Sequence, residues 1–423
     1  MIGRMGKGWA LFILTSTYTL NYLDRGLMVI LLQSIKEDLR LSDTQLGFLT
    51  GIGFALFYAT VGVPIARWAD RGNRVTITSM AIGLWGLTVM GCIFARNFVQ
   101  LVCARVAAAI GESGCMPPTY SLLGDYFPKS SERTRAMSIY MLAGPFAVLI
   151  SFIAGGKLND LYGWRTTFFI TGIPGILFAA IIRLTLKDPR VLAGSNGQKT
   201  PDRKLPRFGA ILGILWKQKS TRHLSLAIIT LFTMGYGMAP WYAAFMIRSH
   251  HMRTDELGLW LGLIFGIGGI VGIYGGGYLS DRWFAQNDRA QMRLSAFTVV
   301  SLVPCYALFL LVPEKSEALL ALTPLIVVFN VFCGPSFALM QRLVTDEMRA
   351  TTLAVIMLLV NLIGMGIGPQ IVGILSDYLA PTVGADSLRY SMLMVSVVAI
   401  WSAYHFWKVG ESVSEDLTAA AMA

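Results

Sequence analysis

Twelve apolar runs, each about twenty residues or longer, set the limits on what this chain can fold into. They lie near residues 9–33, 44–66, 75–95, 98–124, 134–156, 165–186, 223–247, 257–280, 293–313, 318–341, 350–375 and 389–409. A bilayer-spanning helix needs about 20 mostly apolar residues, whereas the strands of a membrane barrel would alternate over about 10. Lipid offers the backbone no hydrogen-bonding partner, so runs of this length predict helices. The expected fold is therefore an all-α membrane protein with 12 transmembrane helices. Charge content agrees: 14% of residues are charged, against about 25% in soluble domains, and the mean hydropathy is +0.60. The first run is too long for a signal-peptide core, and eleven more follow, so it reads as a span.

The formal net charge of +11 invites a nucleic-acid partner, but the distribution of that charge argues against one. With the amino terminus inside, 23 Lys and Arg fall on inner segments, 9 on outer segments and 3 within apolar runs. This bias puts both termini in the cytoplasm and explains the net charge without nucleic acid. The five cysteines lie in apolar runs without metal-ligand spacing, so they read as small hydrophobes. The four histidines fall at span ends or in loops; His250-His251 suits a wet loop better than a metal site. No cofactor and no metal are expected. With no Gly-rich phosphate loop and no nucleophile beside a base, an enzyme is not expected either.

Residues 187–222 are polar, basic and rich in Gly, Pro and Ser. They divide the runs six and six, predicting helical bundles at 1–186 and 223–423 joined by a cytoplasmic linker, partly disordered or lying on the membrane surface. A repeat supports the division. A small residue followed four positions later by Asp ends a helix at Ala66/Asp70, Gly156/Asp160, Gly277/Asp281 and Gly373/Asp377. These are the ends of every third run. The pattern predicts four three-helix units, with the two units of each half inverted relative to one another.

The inner members of that set read ARWADRGNR (66–74) and GYLSDRW (277–283). The first resembles the loop 2–3 signature of the major facilitator superfamily, with Asp70, Arg71 and Arg74 in matching places. Ala66, Asn73 and Val75 depart from it. The second copy keeps Gly277, Asp281 and Arg282 and then diverges. The small residue permits close helix packing, and the Asp suits a helix N-terminus or an Arg of the other half. Asp70, Arg71, Arg74, Asp281 and Arg282 are thus expected at a cytoplasmic gate. A plain turn carrying positive-inside charges is the simpler alternative.

Four ionisable residues lie deep in the first half: Asp24 and Arg25 in NYLDR, and Arg105 and Glu112 in RVAAAIGE. Facing lipid, four such groups would cost on the order of 10 kcal/mol, so they should face the protein interior or a wet cavity. Arg105 and Glu112 are two turns apart on one face, and Asn21, Asp24 and Met28 share another. One polar cluster is expected. Asp24 and Glu112 are the candidates for proton coupling, since a carboxylate beside an Arg stays charged and one that loses its partner is driven to bind a proton. Arg25, Arg105 and Asn21 are candidates for substrate binding. A static ion-pair network that only holds helices together would use the same residues. The second half has no such cluster. It offers aromatics and Met instead, as in GYGMAPWYAAFM (235–246), so a cavity charged on one side and greasy on the other is expected. Tyr58, Tyr120, Trp241 and Tyr242 are candidate lining residues, with packing the alternative for each.

Through residues 21–180 the chain resembles the spinster-like family, on NYLDR (21–25), LSDTQLGFLTGIGFALFYATVGVPIARWADR (41–71), RVAAAIGESGCMPPTYSLLGDYFP (105–128), RTRAMSIYMLAGP (133–145) and GWRTTFFITGIPGIL (163–177). The resemblance implies proton-coupled transport by alternating access, with Asp24, Arg25, Arg105 and Glu112 in coupling and substrate recognition. It also implies a lysolipid or sphingoid cargo. The organic-anion:proton symporters share the Asn-Tyr-x-Asp-Arg of the first helix. They would make the cargo a sugar acid, though polar residues to bind one are scarce in the second half. A receptor would need an output domain, and the longest polar stretch is short. The expected partners are a small amphipathic substrate, protons and membrane lipids. The chain is expected as a monomer in a bacterial inner membrane.

Overall fold

The computed structural model describes residues 4–192, 208–284, 287–345 and 348–422. Every regular element among them is a helix. In chain order these are α1 (Arg4–Leu39), α2 (Asp43–Thr50), α3 (Ile52–Arg71), α4 (Arg74–Gly91), α5 (Phe98–Ser113), α6 (Met116–Tyr126), α7 (Ser130–Met141), α8 (Ala143–Thr185), α9 (Pro189–Leu192) and α10 (Phe208–Lys217). They continue as α11 (Lys219–Met238), α12 (Trp241–His250), α13 (Thr254–Trp283), α14 (Asp288–Leu311), α15 (Lys315–Val331), α16 (Cys333–Arg342), α17 (Arg349–Leu359), α18 (Gly366–Val383), α19 (Ser387–Ser396) and α20 (Val398–Met422).

Among the described residues, eight helical stretches are long and apolar enough to cross a membrane, or nine if the bent pair α11–α12 counts as one span. The helices outnumber the apolar runs because Gly and Pro break runs internally. The pair α5–α6 parts near Gly114, with Pro at the start of α6. The pair α11–α12 bends by 43° before Pro240. A six-residue π-turn, Val360–Met365, separates α17 from α18. Conversely, the 43-residue α8 runs two apolar runs together across Gly163, whose φ of 78° marks the corner. A side chain there would clash with its own backbone, so glycine makes the turn possible. The expected loose linker is partly helical: α9 and α10 lie within 187–222, and residues 193–207 fall outside the described residues.

The chain forms two compact units. Unit 1 takes Met1–Leu41, Phe48–Asp202 and Arg253–Gly262; unit 2 takes Ser42–Gly47, Arg203–Met252 and Leu263–Ala423. The division falls inside the expected linker, but each unit also holds a short piece from the other half of the sequence.

The repeated small-x-x-x-Asp motif holds both pieces. In unit 1 a Cβ on Gly156 would lie 2.3 Å from the Thr254 carbonyl oxygen. The Thr254 hydroxyl donates to the Gly156 carbonyl at 3.2 Å, and Arg253 donates to Asp160 at 2.6 Å. In unit 2 a Cβ on Gly373 would lie 2.3 Å from the Asp43 carbonyl oxygen. There the Asp377 carboxylate accepts the backbone N–H groups of Asp43 and Thr44, at 3.0 and 2.7 Å. The absent side chain lets a helix start come within contact of another helix's backbone, and the Asp four residues on fixes it.

Candidate functional site

The helix α1 presents NYLDR as two stripes. Asn21 and Asp24 are buried, while Tyr22 and Arg25 are partly exposed. The helix α5 supplies Arg105 and Glu112, both buried. The four charges pair crosswise. Arg105 donates to both carboxylate oxygens of Asp24, at 2.8 and 2.6 Å. Arg25 donates to Glu112 Oε1 through Nε at 2.8 Å, and its terminal nitrogen lies 2.6 Å from the same oxygen. Adjacent residues on one helix thus reach residues two turns apart on another, because residues 24 and 25 point about 100° apart.

The two pairs differ in exposure. The Asp24 and Arg105 side chains are 0% and 4% exposed. In the other pair Glu112 is 2% exposed but Arg25 is 24% exposed. Among the described residues, the second Glu112 oxygen, Oε2, is buried with no donor, as are Arg105 Nε and Asn21 Nδ2 with no acceptor. Rings surround the exposed guanidinium: Tyr22 at 5.0 Å, Tyr58 at 5.1 Å and Phe54 at 5.5 Å. From Tyr22 an aromatic chain continues through Tyr18 at 5.8 Å and Tyr140 at 4.9 Å to Tyr120 at 5.4 Å. This arrangement can exchange a proton for an arginine on a carboxylate. It can also offer a cation framed by flat apolar faces to an anionic head group.

A sequence model of the Major Facilitator Superfamily matches residues 14–369. The chain belongs to the major facilitator superfamily. An "MFS-type efflux pump" of Mycolicibacterium smegmatis is 31% identical over 97% of this chain and 94% of its own length. A "Probable L-galactonate transporter" of Escherichia coli is 24% identical over 77% of this chain and 72% of its own. The crystal structure of a bacterial homolog of the human lysosomal transporter spinster, inward-facing and unoccupied, superposes with a TM-score of 0.87. That match has 27% identity and covers 98% of this chain and 99% of that one. Within the superfamily this is a spinster-like transporter, a multi-pass membrane protein.

Other sequence-derived positions of this transporter separate into three groups. Tyr58 belongs to the aromatic surround of Arg25, and Tyr120 ends the ring chain that leads away from it through Tyr140. Trp241 and Tyr242 do not behave as lining residues. They are 0% and 2% exposed, the Trp241 indole donates to the Pro369 carbonyl at 3.3 Å, and the Tyr242 and Tyr306 hydroxyls share a 2.6 Å hydrogen bond. They are packing residues of unit 2, held by polar tips that must find partners once buried.

The positions expected at the cytoplasmic gate also divide. The Asp70 side chain lies outside the described residues. Arg71, Asp281 and Arg282 are exposed. Arg74 is fully buried and committed within unit 1: it pairs with Asp188, donates to Ser121 Oγ at 2.8 Å and lies 2.7 Å from Asp125. It ties the start of α4 to the end of α6 and to the segment after α8, so its bonds leave it no free donor face for a gate. Asp125 and Asp188 escaped sequence reasoning, as did Tyr18, Tyr22, Phe54 and Tyr140. The spacing 18, 22, 25 places the two tyrosines on the Arg25 stripe, and that was a usable signal. The acids of GDYFP and KDPR gave none, because their shared partner is set by tertiary packing.

Proposed function

We propose that this protein is a proton-coupled secondary transporter working by alternating access, with an amphipathic lipid-like substrate such as a lysophospholipid or sphingoid lipid. The observation that carries this reading is the asymmetry of the crossed pairs. Asp24–Arg105 is closed and serves as a fixed strut. Glu112–Arg25 is the switch, with a buried carboxylate oxygen ready for a proton and an arginine already partly exposed. A proton on Glu112 removes the charge that holds Arg25, and the freed guanidinium binds an anionic head group while the surrounding rings take apolar body. Deprotonation returns Arg25 to Glu112 and releases the head group. Loading and coupling then use one cation with two alternative partners.

The twelve spans, cytoplasmic termini, monomeric state and bacterial inner-membrane location expected from the sequence belong to the same proposal. The relation to the efflux pump favours outward movement of an amphipath. The relation to the galactonate transporter supports a second reading, a proton symporter of a sugar acid, in which Arg25 would meet the carboxylate.

Flux into proteoliposomes under an imposed pH gradient separates the two readings, with a lysophospholipid and a sugar acid offered in parallel. Lysophospholipid movement driven by the gradient and lost in Glu112→Gln is the expected result. Sugar-acid movement alone establishes the second reading. Lysophospholipid flux indifferent to the gradient removes the coupling role.

A further inference from the structure

A groove of about 320 Å³ opens in unit 2 at the start of α14, lined by Phe284, Asn287, Arg289, Arg293, Leu294 and Phe297. Arg289 and Arg293 are one helical turn apart, a spacing at which like charges repel. Of the neighbouring carboxylates, Asp288 holds Arg342 at 2.6 Å; Glu411 holds Lys408 at 2.8 Å and also lies within electrostatic reach of Arg289, without forming an ion pair with it. Among the described residues neither groove arginine forms an ion pair, and Arg293 Nε is buried without an acceptor. The Arg293 guanidinium lies 4.8 Å over the Trp407 ring, which fixes its plane.

Two cations one turn apart, with the nearby acid Glu411 already bonded to Lys408 and an Arg293 Nε without an acceptor, favour a further anion. A guanidinium with an open edge suits a tetrahedral oxyanion that accepts two hydrogen bonds. What continues from the cations selects the kind of anion. Leu294 and Phe297 follow along α14 and are 37% and 65% exposed. Phe297 meets Trp407 edge-on at 5.9 Å. A free phosphate has no use for that strip, whereas an acyl chain does. Trp and Arg at the end of an apolar helix are also the residues that sit at head-group level in a bilayer.

We propose that this groove binds an anionic phospholipid, with its phosphate on Arg289 and Arg293 and an acyl chain along Leu294 and Phe297. The site lies on unit 2 and shares no residue with the charged cluster of unit 1, so it is a structural-lipid site distinct from the proposed cargo site.

The test uses the full chain purified in detergent, titrated with phosphatidylglycerol or phosphatidylcholine and read by native mass spectrometry. The wild type should retain phosphatidylglycerol in preference to phosphatidylcholine. An R289A/R293A variant should lose that preference, by about fivefold per guanidinium removed. Arg293→Lys keeps the charge and should retain part of the preference, which guards against loss through misfolding. Lys157→Gln, which removes an exposed charge of unit 1 away from both sites, should leave retention unchanged. Equal retention of both lipids by the wild type, or an unchanged preference in R289A/R293A, overturns the proposal. Displacement of the lipid by millimolar inorganic phosphate alone would make the ligand a free anion and overturns the lipid assignment.

Discussion

The interiors of the two units solve the same problem with different chemistry. Unit 1 places four charged side chains within its apolar runs, three buried and Arg25 partly exposed, paired crosswise between α1 and α5. Unit 2 fills its interior with aromatic rings such as Tyr242, Phe245, Tyr306 and Phe309, and joins two of them by hydroxyls. Its ion pair of partly buried Arg248 with buried Asp43, at 2.8 Å, sits at helix ends. Mid-helix charge is expensive in a membrane and persists where it does work, whereas rings and helix-end pairs suffice for cohesion. Under the proposed function, the difference assigns the switching chemistry to unit 1 and cohesion to unit 2.

The largest effect should come from breaking the fixed strut. Arg105→Met leaves Asp24 buried without its cation, and the expected loss is about 3–5 kcal/mol of stability. Thermal unfolding in detergent would show it, and adding Asp24→Leu should recover much of the loss. If Arg105→Met alone is tolerated, Asp24 is not charged in the resting protein.

Next comes the switch pair. Glu112→Gln should fold normally, because Gln still accepts from Arg25, yet abolish gradient-driven flux while preserving exchange at equal pH. A variant that still responds to the gradient moves the coupling to Asp24. In unit 2, Tyr242→Phe should cost about 1–3 kcal/mol, since it strands a buried Tyr306 hydroxyl. Transport by the survivors should be unaltered. A changed substrate preference instead would return Tyr242 to the lining.

The smallest effects belong to the matching motifs that hold the exchanged segments. Asp377→Ala removes a carboxylate that caps two backbone N–H groups, and about 1–2 kcal/mol is expected. Asp160→Ala removes a partner from Arg253, a well-exposed side chain, so its unfolding temperature should shift less. Equal shifts would mean that the close Gly contacts, rather than the acids, carry both motifs.

Much of this was legible in the chain itself. The apolar runs required membrane helices, because lipid leaves the backbone no alternative. The expense of buried charge required Asp24, Arg25, Arg105 and Glu112 to face inward. The spacing of small residues and Asp marked two matching contacts, at Gly156/Asp160 and Gly373/Asp377. Partner choice was not legible. Sequence spacing places residues on a face, but which arginine meets which carboxylate depends on how far each face turns toward the other helix. The same limit hid the Arg74–Asp188 anchor, whose members lie over a hundred residues apart, and made Trp241 and Tyr242 look available when packing had already enclosed them. Periodicity and the energetics of lipid fix the helical class and the buried faces of helices, which are local properties, whereas the Gly and Pro breaks that set their number are not read from the runs. Only tertiary structure could decide the crossed pairing, the exchanged segments and the paired arginines of the α14 groove, because each depends on distances between residues far apart in the sequence.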